Sequence, residues 1–215
     1  TMATPYLVNS RALGADIEIH SATKYLGGHD DLFAGIVFGS SKLLQPICHT
    51  RALLGGISSP SDLVALHQYL STFEIRMKAF SQAGLQTAQY LEKHPHINQV
   101  YYPGLSSSPY NFIAQKWALS QGRKINSDNS LGFGSVVSFE LTNGSEETIE
   151  SFADSFGHLG VNFGGVHTIL DPFGWRQTPE MRQQLGITPA LFRLSVGLDH
   201  KPEEIVGLLE ESLDK

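Results

Sequence analysis

From Ala15 to His20 apolar and polar residues alternate, with Ala15, Ile17 and Ile19 on one side and Asp16, Glu18 and His20 on the other. That is the period-two pattern of a strand with one buried face. Leu32 to Phe38 is a continuous apolar run, which predicts a strand buried on both faces. From Ser59 the period changes to that of a helix. Ser59 can cap it, Pro60 suits its first position, and Leu63, Leu66, Leu70, Phe73 and Met77 form one apolar stripe. A single long helix is expected here, weakened at Gly84 and stopped by Pro95.

The rest of the chain alternates strands and helices. Ile97 to Tyr102 reads as a short strand broken by Pro103-Gly104. Ser106 to Ser108 and Lys124 to Ser130 read as loops, and Gly132-Phe133-Gly134 as a turn. Ser135 to Leu141 is a strand, followed by an Asn143-Gly144 turn and a helix capped by Ser145, with Ile149, Phe152 and Phe156 facing inward before Gly157. Leu191 to Val196 forms another strand. Lys201 to Leu213 is a final helix with Pro202, Glu203 and Glu204 in its first turn. Helices that follow separate strands predict an α/β layer with one face covered.

Composition narrows the class without changing this picture. The 215 residues are 41% hydrophobic and 17% charged, with no apolar run long enough to cross a membrane. A formal charge of -6 argues against a nucleic-acid or anionic-membrane surface. The lone Cys48 makes neither an intrachain disulfide nor a cysteine metal cluster, so a cytoplasmic setting is the default. His94-Pro95-His96 is a helix-ending loop with no further ligand nearby, and no metal site is expected. Gly132-Phe133-Gly134 lacks the third glycine of a dinucleotide loop.

Chemistry concentrates in His20-Ser21-Ala22-Thr23-Lys24-Tyr25, continued by Leu26-Gly27-Gly28-His29-Asp30, in the connection between the first two predicted strands. By position alone, a lysine there packs its stem and sends its ammonium to water. Leu13-Gly14-Ala15-Asp16 stands before this string, and Tyr102-Pro103-Gly104-Leu105 and Phe192-Arg193-Leu194-Ser195-Val196-Gly197-Leu198-Asp199 follow it. Together these segments resemble the pyridoxal-phosphate enzymes of cysteine and methionine metabolism. That family contains the cystathionine synthases and lyases, methionine gamma-lyase and the homoserine sulfhydrylases.

The resemblance implies the α/β architecture of a fold-type I pyridoxal-phosphate-dependent transferase. Residues 1–74 would be the C-terminal part of the cofactor-binding large domain with its linking helix, and residues 75–215 the small domain. It covers essentially the whole chain but only about the C-terminal half of the family's length. Thr1-Met2-Ala3-Thr4-Pro5-Tyr6 matches a segment that follows the aspartate for the ring nitrogen, two positions before Thr1. The chain therefore reads as a piece of a longer polypeptide whose N-terminal half is a partner in the site. A cytoplasmic homotetramer acting on a small amino acid is implied as well.

Pyridoxal phosphate requires an amine to hold it, donors for its phosphate and an acid for its ring nitrogen. By resemblance Lys24 is the cofactor lysine and catalytic base, while Ser21 and Thr23 hydrogen-bond the phosphate. From the residues alone, local turn bonding explains those two hydroxyls equally well. Arg193 matches the arginine that grips the substrate α-carboxylate, a role that suits the planar guanidinium. Asn162 replaces the serine of a Ser-Leu-Gly-Gly loop near the substrate, and can still donate and accept. Val161 replaces a residue that in some members carries a carboxylate, and Pro172 to Pro179, with Trp175 and Arg176, departs from the family loop. The implied activity is β- or γ-elimination or γ-replacement on sulfur-containing or O-activated amino acids. The alternative is a non-catalytic fragment or interaction module. Tyr25 and His29 are expected to serve packing or turns.

Overall fold

A computed structural model describes residues 1–120 and 132–214; the expected Lys124 to Ser130 loop lies outside the described residues. A short helix α1 (Thr4–Leu7) leads to β1 (Ile17–Ser21) and β2 (Gly35–Gly39), which form a two-stranded antiparallel sheet pairing Ile19 with Val37. The faces differ from expectation. Ile19 is 70% exposed and Phe33 83% exposed, while His20 is buried. The alternation is that of a strand, but no described element covers its apolar side.

α2 (Ser41–Leu54), which no periodicity announced, ends at Gly55 and carries Pro46 inside it. α3 (Pro60–Leu70) starts as expected, with the Ser59 hydroxyl accepting from the amide of Asp62 at 3.1 Å. The predicted single helix is in fact two. At the break, the hydroxyls of Ser71 and Thr72 donate back to the carbonyls of Gln68 and Tyr69, a local alternative to the helical ladder. α4 (Phe73–Leu91) then runs unbroken through Gly84. A Cβ there would stand 2.5 Å from the carbonyl oxygen of Gly134. The glycine lets α4 press against the strand that follows Gly134, and it does not end the helix.

β3 (Ile97–Tyr101), α5 (Asn111–Ser120), β4 (Val136–Leu141), α6 (Glu146–Phe156), β5 (Ile169–Asp171), α7 (Pro179–Leu185), β6 (Leu191–Ser195) and α8 (Pro202–Leu213) complete the chain. The four strands form an antiparallel sheet in the order β3-β4-β6-β5. Alternation sends Val137, Phe139, Leu141, Phe192 and Leu194 to one face, where α4, α6 and α8 cover them. Phe139 and Phe192 stack at 5.7 Å, and Phe152 of α6 meets Phe192 edge-on at 5.0 Å. By the same alternation Ser138, Asp171, Arg193 and Ser195 lie on the other face, with Arg193 registered between Ser138 and Asp171. The expected layer is present, and its second face carries Ser138, Glu140, Asp171, Arg193 and Ser195, of which Glu140, Asp171 and Ser195 are buried.

Candidate active site

The connection between β1 and β2 is folded tightly on itself. Ala34 accepts from the amide of Ala22 at 2.7 Å, and the amide of Gly28 donates to the carbonyl of Lys24 at 2.7 Å. Thr23 accepts from the amide of Ala34 at 3.2 Å. This is the local bonding open to a threonine at a turn, and the hydroxyl still carries a hydrogen to donate. Ser21 lies at the end of β1, where its amide donates to the Thr1 hydroxyl at 3.0 Å.

Two groups fix this segment to the rest of the molecule. Arg76, buried on α4, donates to the carbonyls of Tyr25 at 2.8 Å, Leu26 at 3.1 Å and Tyr69 at 3.0 Å. Tyr25 is fully buried, edge-on to Phe80, with its hydroxyl 3.0 Å from that of Ser135. Burial pushes the Tyr25 phenol above its ordinary pKa, so it is a neutral packing and hydrogen-bonding group. His29 stacks on Tyr69 at 3.8 Å. Both residues do the structural work expected of them.

Lys24 and Arg193 meet at Phe163. The Lys24 amine lies 5.1 Å from the centre of the Phe163 ring, and the Arg193 guanidinium carbon 5.8 Å from it. Lys24 donates to Oδ1 of Asn162, whose Nδ2 donates to Asp30 at 2.6 Å. Arg193 donates to the carbonyl of Val161 at 2.8 Å and pairs with Asp171 at 3.0 Å. Asp171 is buried and also receives a two-pronged contact from Arg176, at 2.7 and 3.1 Å. The unusual Pro172 to Pro179 loop thus folds back on the carboxylate that steadies Arg193. Arg193 Nε is buried without a hydrogen-bond partner, and a buried donor left unpaired is costly unless a ligand meets it.

The structure therefore brings Lys24, Asn162 and Arg193 together, with Thr23 and Ser21 on the same connection as Lys24. Asp30, Arg76, Phe163 and Asp171 were missed as site residues in the sequence. Neither Arg76 nor Asp171 was singled out; the sequence signals that bear on them are a charge beside an apolar helix stripe and an acid ending the apolar pair Ile169-Leu170.

The family profile described as Cys/Met metabolism PLP-dependent enzyme matches residues 1–214. The chain belongs to this family. It is 36% identical to cystathionine beta-lyase of Lactococcus lactis subsp. cremoris (strain MG1363), aligning over 100% of this chain and 54% of that protein. It is also 36% identical to L-methionine gamma-lyase of Fusobacterium nucleatum subsp. polymorphum, over 100% and 53%. Among solved structures, cystathionine gamma synthase from Xanthomonas oryzae pv. oryzae in complex with aminoacrylate and cysteine superposes with a TM-score of 0.79 at 30% identity. That match covers 94% of this chain and 50% of that one. Cystathionine gamma-lyase from Lactobacillus plantarum complexed with L-serine gives 0.85 at 28%, over 100% and 54%. The fold is thus that of fold-type I pyridoxal-phosphate enzymes, and the chain spans about half the length of the relatives it matches.

Proposed function

We propose that the intact protein is a pyridoxal-phosphate-dependent lyase or transferase of trans-sulfuration, performing β- or γ-elimination or γ-replacement on sulfur-containing or O-activated amino acids. The observation that carries this reading is the meeting of Lys24, Asn162 and Arg193 around Phe163, from segments 138 residues apart for Lys24 and Asn162. The residues present fit the cofactor. A half-buried amine stands for its aldehyde and hydroxyls at Ser21 and Thr23 for its phosphate, while the unpartnered Nε of Arg193 awaits an acceptor. When bound, pyridoxal phosphate supplies an electron sink for negative charge at the substrate Cα.

The protein's residues supply the rest. Lys24 holds the cofactor and, once released by the substrate amine, takes and returns the Cα proton at Nζ. Arg193, steadied by Asp171, binds the α-carboxylate and so sets the direction of the Cα–H bond. Asn162 offers its amide to Lys24 and to the substrate. The proposed division runs between residues 74 and 75, separating the end of the cofactor-binding domain with its linking helix from the small domain. The break at Ser71-Thr72 and the start of the sheet's apolar cluster at Ala83 support it. A cytoplasmic homotetramer completes the reading, on family resemblance.

The test is borohydride reduction of the intact, cofactor-loaded protein followed by peptide mapping. The pyridoxyl adduct is expected on Lys24; an adduct on Lys42 or Lys78 instead would overturn the assignment. A second reading, an interaction module without turnover, is favoured by the uncovered apolar side of the β1-β2 sheet. It predicts that the intact, cofactor-loaded protein turns over no amino acid even where the adduct forms on Lys24.

A further inference from the structure

Asp30 has an unusual backbone for a residue with a side chain. Its φ is +60°, a left-handed conformation that Asp tolerates better than most residues but at some cost. The result is that its carboxylate enters the Asn162–Gly165 loop. A Cβ on Gly165 would lie 1.8 Å from Asp30 Oδ2, so the loop has room for this carboxylate only because that position is glycine. There Asp30 Oδ1 accepts from Asn162 Nδ2 at 2.6 Å, and Asn162 Oδ1 accepts from the Lys24 amine.

These contacts have one consistent polarity. An ionised carboxylate only accepts and an ammonium only donates, whereas an amide has one end of each kind. With Asp30 holding the Nδ2 end, the Oδ1 end must face Lys24. We propose that Asp30 is a positioning residue for Lys24, acting through the Asn162 amide. This rests on the reading of Lys24 as the cofactor lysine. Without Asp30 the amide is free to turn, and its Nδ2 then presents a donor to a donor. The lysine loses the acceptor that holds its amine at the Phe163 side of the site.

The experiment is a double-mutant cycle in the intact protein with Asp30→Ala and Asn162→Ala, read in two ways. In the holoenzyme Asp30→Ala is expected to lower kcat about tenfold with KM within about twofold, but to change kcat less than about twofold when Asn162 is already alanine. In the cofactor-free protein, reductive methylation by formaldehyde and cyanoborohydride is followed at each lysine by mass spectrometry. Asp30→Ala should speed labelling of Lys24 about threefold, leave the solvent-exposed Lys78 unchanged, and have no effect on Lys24 in the Asn162→Ala background. The nearly isosteric Asp30→Asn should shift both readouts in the same direction by less, which guards against a simple folding defect. Additive effects of the two substitutions, or a fall in kcat with Lys24 labelling unchanged, would overturn the proposal. Failure of Lys24 to carry the cofactor would defeat the functional reading separately, because the labelling cycle needs no cofactor.

Discussion

Residues 75–214 and residues 1–74 are both rich in apolar side chains, yet the former bury them in one large cluster and the latter only in small ones. Around the four-stranded sheet, Val137, Phe139, Phe192, Leu194 and Val196 meet Ile149, Ile205 and Leu209, all fully buried. In the first region Ile19, Phe33, Leu53, Leu54, Ile57 and Val64 stand mostly in solvent. Its buried residues form small clusters around Lys24, one of them completed by Met77 and Phe80 of α4. The difference teaches where self-sufficiency lies. The inner face of the sheet is covered within the chain, whereas the segment that carries the lysine adds polar attachments, chiefly Arg76 and Tyr25, to two small apolar clusters and leaves one side of β1 exposed.

The largest test of this contrast is Phe192→Ala. Phe192 has no exposed surface and touches two aromatic rings, so its loss is expected to destabilise the chain by about 3–5 kcal/mol in urea unfolding. Leu54→Ala, on the exposed end of α2, should cost no more than about 0.5 kcal/mol. Comparable losses at the two positions would break the comparison.

Legibility in the sequence follows the same division. In the second region β3, β4, β6, α6 and α8 were readable because a period-two or helical pattern there corresponds to an actual inner face. β5 was too short to show a pattern, and α5 and α7 were not read from the sequence at all. In the first region the pattern identified strands but mistook their surroundings, since alternation reports that a face is apolar without saying what covers it. The site divided along similar lines. Lys24, Thr23 and Arg193 were visible as motifs, whereas Asp171, Arg76 and Asp30 act through contacts between distant segments that no local spacing encodes.

Arg193→Lys probes the boundary between the regions, since Arg193 is on the sheet and lies beside Lys24 at the Phe163 ring. Lysine keeps the charge but cannot contact Val161 and Asp171 and still offer a two-pronged grip to a carboxylate. On the proposed activity, kcat/KM of the intact protein should fall by roughly 2–4 kcal/mol of transition-state stabilisation, with cofactor absorbance unchanged. Loss of cofactor instead would assign Arg193 to the wrong ligand. A somewhat smaller effect is expected for Arg76→Lys. An ammonium cannot span the carbonyls of Tyr25, Leu26 and Tyr69, so about 2 kcal/mol of stability should be lost. Local opening should concentrate in the 22–34 connection, visible as faster amide exchange there than in β4 and β6. Uniform exchange across both regions would contradict the attachment role of Arg76.

The smallest effect in the chain by itself is the most discriminating. Ile19 lies on β1 with 70% of its surface exposed, paired with Val37 across the two-stranded sheet. A substitution at an exposed strand position changes stability by within about 0.5 kcal/mol. Ile19→Ser in the 215-residue chain should therefore leave the urea midpoint almost unchanged and reduce self-association by removing apolar surface from the sheet. In the intact polypeptide the same substitution should behave as a core change if the rest of the protein covers this face. Its cost there would rise to about 1.5–3 kcal/mol, the value of burying one such side chain. The two measurements together locate the missing contact. A small effect in both contexts would mean that the apolar side of β1 faces water in the whole protein as well, and the alternation that first marked this strand would need another explanation.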